Sequence, residues 1–179
     1  MFEPKLTQVI VEFKLKSENN FFNMKYISQT IGDVIFDSNF SGLKIRIKNS
    51  NASIIFFTCG FGRVFGVNSI EGVEEAIHSL RRKFQYCGYR TRLIHTKVIS
   101  MTATLDLKQN FKLLSQSLKG LKANISEKFS GISIYLNDMT VIVFYNGKIN
   151  FLGAKNFEQI VITKDFLIQH FVNKNSISI

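Results

Sequence analysis

One phrase is written twice in this chain. Phe40-Ser41-Gly42-Leu43-Lys44-Ile45 returns as Phe129-Ser130-Gly131-Ile132-Ser133-Ile134, an offset of 89 residues. Further on, Ile54-Ile55-Phe56-Phe57 returns as Val141-Ile142-Val143-Phe144, Gly60 as Gly147 and Gly66 as Gly153, now at an offset of 87. The second copy therefore lacks two residues, at Lys48–Ser53 against Asn137–Thr140. Those stretches are polar and read as a hairpin turn, where deletions cost least. A duplicated chain predicts two like units, residues 1–92 and 93–179,.

Each copy has the same order of elements. A strand opens it, at Gln8–Leu15 and at Val98–Leu107. A short amphipathic helix follows, over Phe22–Ile31 and Asn110–Leu118. Copy one continues with strands at Asp33–Asp37, Leu43–Ile47, Ser53–Thr58 and Arg63–Val67; copy two matches with Ile132–Leu136, Val141–Tyr145 and Ile149–Leu152. Gly60 and Asn146-Gly147 supply the tight turns that such pairing requires,. A longer helix closes each copy, at Glu71–Tyr86 and Phe157–Val172, and Val73, Ile77, Leu80 and Phe84 form one apolar stripe on the first,. Cys87–Leu93 joins the copies. Two β-rich units with helices to one side imply an α+β fold, an antiparallel sheet with helices on one face.

The other sheet face is the informative one. Ile55 and Phe57 share one side of their strand and Ile54 and Phe56 the other, yet both pairs are apolar; Ile142 and Phe144 repeat this against Val141 and Val143,. A strand with one solvated face alternates apolar and polar. Two-sided apolar strands mean a second covering layer, a dimer interface or an exposed binding surface. The chain carries 23 Lys+Arg against 13 Asp+Glu, a net charge of +10, which favours an anionic partner such as nucleic acid or a membrane surface,. No stretch of 18 apolar residues and no signal peptide is visible, so neither a membrane span nor secretion is expected,.

Signs of catalysis are lacking. His78, His95 and His170 have no metal-ligand spacing, and Cys59 and Cys87 stand too far apart for a metal motif,. Asp106 and Asp138 are isolated carboxylates, and Gly60-Phe-Gly62 lies between strands and does not open a helix,. No catalytic residue, metal or cofactor is expected. The abundance of Phe, Ile, Asn and Lys is what an AT-rich genome, of a virus or a parasite, would encode.

The pattern F-S-G-x-x-I-x-[IL], then I-[IV]-F, then G-x-x-x-x-[FL]-G, twice, resembles the saddle domain of TATA-box-binding proteins. The close of copy two, Phe144-Tyr-Asn-Gly147-Lys148-Ile-Asn-Phe-Leu-Gly153-Ala154-Lys155, is similar to that family's F-x-S-G-K-x-x-x-T-G-A-K. The resemblance covers essentially the whole chain. It implies two pseudo-symmetric, intertwined repeats forming one curved antiparallel sheet, helices on its convex face, and a concave face that binds and bends A/T-rich promoter DNA from the minor groove. Such proteins insert two pairs of phenylalanines between base steps, by position Phe40 with Phe57 and Phe129 with Phe144. An aromatic wedge costs a few kcal/mol of unstacking and gains a bend that wraps more protein surface.

The resemblance also assigns Ile55 and Ile142 to the groove, Arg46 to backbone phosphate, and Lys148 and Lys155 to the DNA or its edge. It departs from the family at the centre of the site. Gln8 and Ser100 stand where asparagines are expected, Phe65 and Leu152 where threonines are, and Arg63 and Asn150 where valines are. Glu127 matches a glutamate that contacts the next, TFIIB-like initiation factor, and Arg82 matches the basic second helix. Double-stranded DNA, initiation factors and RNA polymerase are thus the implied partners, with a monomer on DNA and a homodimer as an option when free. The implied location is the nucleus, or a cytoplasmic replication site for a virus. The alternative is an interaction module of the same fold that binds a protein and has lost DNA bending.

Overall fold

The computed structural model describes residues 3–18, 21–107, 118, 121, 123–125 and 131–173. Among them are ten strands: β1 Lys5–Ser17, β2 Val34–Phe36, β3 Gly42–Ile47, β4 Ala52–Phe57, β5 Phe61–Val67, β6 Thr91–Asp106, β7 Ala123–Ile125, β8 Gly131–Leu136, β9 Met139–Phe144 and β10 Lys148–Ala154. Three α-helices accompany them: α1 Met24–Thr30, α2 Ile70–Tyr86 and α3 Phe157–Asn173. Two compact units result, Gln8–Ile99 and Met1–Thr7 with Ser100–Ile179. The repeat boundary read at residues 92/93 falls inside β6.

Both units are antiparallel and share one strand order, β2-β3-β4-β5-β1 in the first and β7-β8-β9-β10-β6 in the second. The duplication thus extends from sequence to pairing. In the first unit, Val9, Val11, Phe13 and Leu15 of β1 are buried in alternation with half-exposed Gln8, Ile10, Glu12 and Lys14, as a two-residue period requires. Helix α2 covers the buried side, against β3, β4 and β5. Ser69 caps it, its hydroxyl accepting from the Gly72 N–H at 3.0 Å, and Val73, Ala76, Ile77, Leu80 and Phe84 form its buried stripe,. Beneath lies an aromatic cluster in which Phe56 meets Phe22 and Phe84 edge-on, with ring centroids 4.9 and 4.8 Å apart,. In the second unit α3 buries Ile160, Thr163, Leu167 and Phe171 against β10. The buried Thr163 hydroxyl donates to the Gln159 carbonyl at 2.8 Å and accepts from Asn137 Nδ2 at 3.0 Å, so its polarity is satisfied,.

The two-residue deletion lands where the sequence places it. In copy one, Ile47 pairs with Ala52 across a short 3₁₀ turn, Lys48–Ser50, closed by Asn51 at φ +52°. In copy two, Leu136 pairs with Met139 across Asn137 and Asp138, at φ +48° and +58°. Positive φ at both central residues is the primed hairpin turn, whose twist matches that of paired strands. A further turn is common to both copies: Gly60 and Gly147 donate to the carbonyls of Phe57 and Phe144 and accept from the N–H of Leu15 and Leu107. Both glycines lie in the left-handed region, at φ +84° and +80°. A Cβ at Gly60 would stand 2.2 Å from the Leu15 carbonyl oxygen. Gly66 and Gly153 sit at matching register shifts in the β1–β5 and β6–β10 ladders.

Two expectations change, and a third lies beyond the described residues. Strand β6 starts at Thr91, seven residues before the predicted Val98, which shortens the link between copies. The sequence reading has no copy-two partner for β2, and β7 fills that place, pairing Ala123–Ile125 with β8. The helix expected over Asn110–Leu118 lies outside the described residues but for Leu118, which is buried. No helix among the described residues is long and apolar enough to cross a membrane.

Candidate nucleic-acid interface

In each unit the sheet face turned away from the helix carries most of the predicted residues. On the first unit that face holds Gln8, Glu12 and Lys14 of β1, Lys44 and Arg46 of β3, Ser53, Ile55 and Phe57 of β4, and Phe61, Arg63 and Phe65 of β5, all half-exposed or exposed. The cross-strand register Lys44–Ile55–Arg63–Glu12 forms one row across it. A shallow concavity of about 290 Å³ is lined by Glu12, Phe40, Ile55, Phe57, Phe61 and Phe65, and an adjoining one of about 530 Å³ by Ile35, Lys44, Arg46, Ser53, Ile55 and Phe65.

Phe40 and Phe57, 17 positions apart in sequence, come together with ring centroids 5.9 Å apart. Gly42 makes this pairing possible. A Cβ there would lie 2.9 Å from the Phe56 carbonyl oxygen, 3.0 Å from the Phe40 ring and 3.1 Å from the Phe57 ring. The glycine of the repeated Phe-Ser-Gly phrase is thus the seat of the aromatic pair. The Lys44 ammonium lies 5.5 Å from the centre of the Phe40 ring, and the Lys14 ammonium 4.6 Å from that of Phe61,. Arg46 is exposed and its guanidinium donates to the Ser53 hydroxyl at 3.3 Å. Arg63 has a partner that the sequence reading did not foresee. Its Nε and Nη2 both donate to Glu12 Oε2, at 3.2 and 3.1 Å. Phe65 pairs with Ser53 and precedes the register shift at Gly66.

On the second unit the matching face holds Ser100, Thr102 and Thr104 of β6, Ser133 of β8, Thr140, Ile142 and Phe144 of β9, and Lys148, Asn150 and Leu152 of β10. Asn150 stands between Ile142 and Thr104 in register, and Leu152 between Thr140 and Thr102. The two faces differ in chemistry: charged and aromatic in copy one, hydroxyl-rich in copy two. Of these residues, Glu12, Lys14, Lys44, Ser53, Phe61, Thr102, Thr104, Ser133 and Thr140 were not singled out from sequence, whereas Ser100 was. Alternation along each strand carries the signal that would have found them.

Lys155 lies just past β10 and Arg82 on α2, off these strands. Phe144 is half-exposed, while Phe129 and Glu127 lie outside the described residues. Lys148 is exposed and its N–H donates to Asn146 Oδ1 at 3.1 Å. Lys155 is exposed, its N–H donating to Gln159 Oε1 at 2.9 Å. Arg82 sits on α2, exposed, with its guanidinium 3.4 Å from the Ser79 hydroxyl. At the rim of the larger concavity, an ion pair of 2.9 Å to Lys48 holds the Asp33 carboxyl below its usual range, and elsewhere burial pushes the Cys87 thiol up. No group of three or more His, Cys, Asp or Glu able to hold a metal exists among the described residues.

No protein-family model matches the chain. Its α+β architecture is that of a solved structure, Methanococcus jannaschii TBP, with a TM-score of 0.82 over 96% of this chain and 99% of that one at 22% identity. The fold class is therefore the TATA-box-binding-protein fold that the family resemblance implied. In sequence, the chain is 32% identical over 127 residues to the TATA-box-binding protein-like 1 of Entamoeba histolytica, covering 68% of this chain and 58% of that protein. It is 24% identical over 169 residues to the TATA-box-binding protein of Methanococcus vannielii, covering 91% of each. The chain belongs to the TATA-box-binding protein family.

Proposed function

We propose that this protein is a transcription initiation factor of the TATA-box-binding type, which binds promoter DNA through the open sheet faces and bends it from the minor groove. The observation that carries this reading is the Phe40–Phe57 pair, seated on Gly42 beside an uncovered apolar face. A half-exposed aromatic pair on a basic chain suits insertion between bases better than solvent. Phe129 and Phe144 are the equivalent pair of copy two. Unstacking costs a few kcal/mol per step and is repaid by the surface that the bent duplex brings into contact. Lys14, Lys44, Arg46 and Lys148 supply phosphate contacts, which fix position and give affinity without reading sequence. Initiation factors and RNA polymerase are the protein partners of such a role, the nucleus is its place in a nucleated cell, and no catalysis is part of it.

One observation favours the second reading, a protein-binding module. Phe65 and Leu152 make the centre of each face more apolar than base edges require, and a protein surface would bury them equally well. Energy transfer between dyes at the ends of a short A/T-rich duplex separates the two readings. A saturable rise on adding protein supports bending. Phe57→Ala with Phe144→Ala should abolish the rise and leave salt-dependent binding, and a double variant that bends DNA like the parent refutes the wedge assignment.

A further inference from the structure

The row across the first unit contains a carboxylate where a nucleic-acid face would be expected to carry none. Glu12 projects from β1 onto the open face, directly opposite Arg63 of β5. Both Arg63 contacts fall on Oε2, so Oε1 of Glu12 and Nη1 of Arg63 have no hydrogen-bond partner among the described residues. The pair is only partly screened, its side chains 25% and 51% exposed for Glu12 and Arg63. Around Glu12 stand Phe40, Phe57, Phe61, Phe65 and Ile55. Anything docking on this face strips water from the carboxylate, and a carboxylate oxygen that loses water without gaining a donor is costly.

Base-pair edges differ in what they offer to such a pair. In the minor groove, A·T and T·A present only acceptors, whereas G·C adds one donor, the guanine N2 amino group. An acceptor-only floor suits the Arg63 guanidinium and repels Oε1. A G·C pair satisfies both, through an amino donor beside the acceptor O2 of cytosine. Resting on the minor-groove reading above, we propose that Glu12 and Arg63 select a G·C pair at one step of an otherwise A·T-rich site. Glu12 Oε1 accepts from guanine N2, and Arg63 donates to cytosine O2. Glu12 is the determinant of the preference, and Arg63 neutralises its charge near the phosphates and holds it in place.

The test begins with duplexes that the full chain selects from a pool with a randomised centre. Each guanine is then replaced by inosine, which lacks only the N2 amino group, and each adenine in turn by 2,6-diaminopurine, which adds one. Affinity and end-to-end energy transfer are measured together. The expected result is one guanine whose replacement by inosine weakens binding about tenfold, the usual scale for one good base contact, while the bend at saturation persists. Glu12→Ala should erase that difference and tighten binding to an all-A·T centre, and Glu12→Gln, which keeps shape and an acceptor, should retain part of the guanine preference. Bending with every inosine replacement neutral overturns the proposal and leaves the minor-groove reading intact. An undiminished guanine effect in Glu12→Ala overturns it equally. Absence of bending on every duplex overturns both.

Discussion

Gly42 shows how much one missing Cβ can decide. Two aromatic rings and a main-chain oxygen lie within 3.1 Å of where that atom would be, and the oxygen belongs to a paired strand that cannot yield. Gly42→Ala should therefore push Phe40 and Phe57 apart. We expect a stability loss of roughly 1–3 kcal/mol, as for overpacking elsewhere, read from the urea midpoint. The DNA bend should fall further than stability does, and a variant with an unchanged bend would show that ring spacing is immaterial. The Phe-Ser-Gly phrase was legible in sequence because it recurs. Its reason was not, since Gly42 meets Phe57 only after β3 and β4 pair. The Glu12–Arg63 contact is hidden for the same cause: 51 positions separate the partners, and nothing local marks Glu12 as facing an arginine.

At the scale of elements, hairpin chemistry explains both what was legible and what was not. Turn residues and two-residue alternation are local signals, so β3, β4, β5, β8, β9, β10 and α2 lie within a few residues of their expected spans. The first part of β6 escaped because residues 92–97 are exposed on both sides of the strand and so show no alternation. The paired turns invite an exchange. Replacing Lys48–Asn51 by Asn-Asp, the turn of copy two, should keep Ile47 opposite Ala52 and change stability by less than about 1 kcal/mol. Removing one residue there instead of two would shift register by one, turning Ile54 and Phe56 out of the core. That variant should fail to fold cooperatively in circular dichroism melts. A stable single-residue deletion would mean the hairpin does not set the register.

For the whole molecule, charge and duplication set the expectations. A net charge of +10 could bind DNA diffusely, but Lys14, Lys44, Arg46 and Lys148 stand on the open faces without an ion pair among the described residues. If these make the phosphate contacts, log K against log salt should have a slope of roughly −3 to −4, at about −0.9 per phosphate. A slope near −9 in a filter-binding titration would mean that the charge acts diffusely and the faces have no special part. The sequence by itself determined the repeat, the turn that absorbs its deletion, the helical stripes and the apolar character of both sides of β4 and β9, because each is a pattern between near neighbours in the chain. Only the tertiary structure decided which apolar side stays open, that Gly42 seats the aromatic pair, and that Arg63 is tied to Glu12. Those outcomes depend on strand pairing and on which face a helix covers, contacts between residues distant in sequence that carry no local signature.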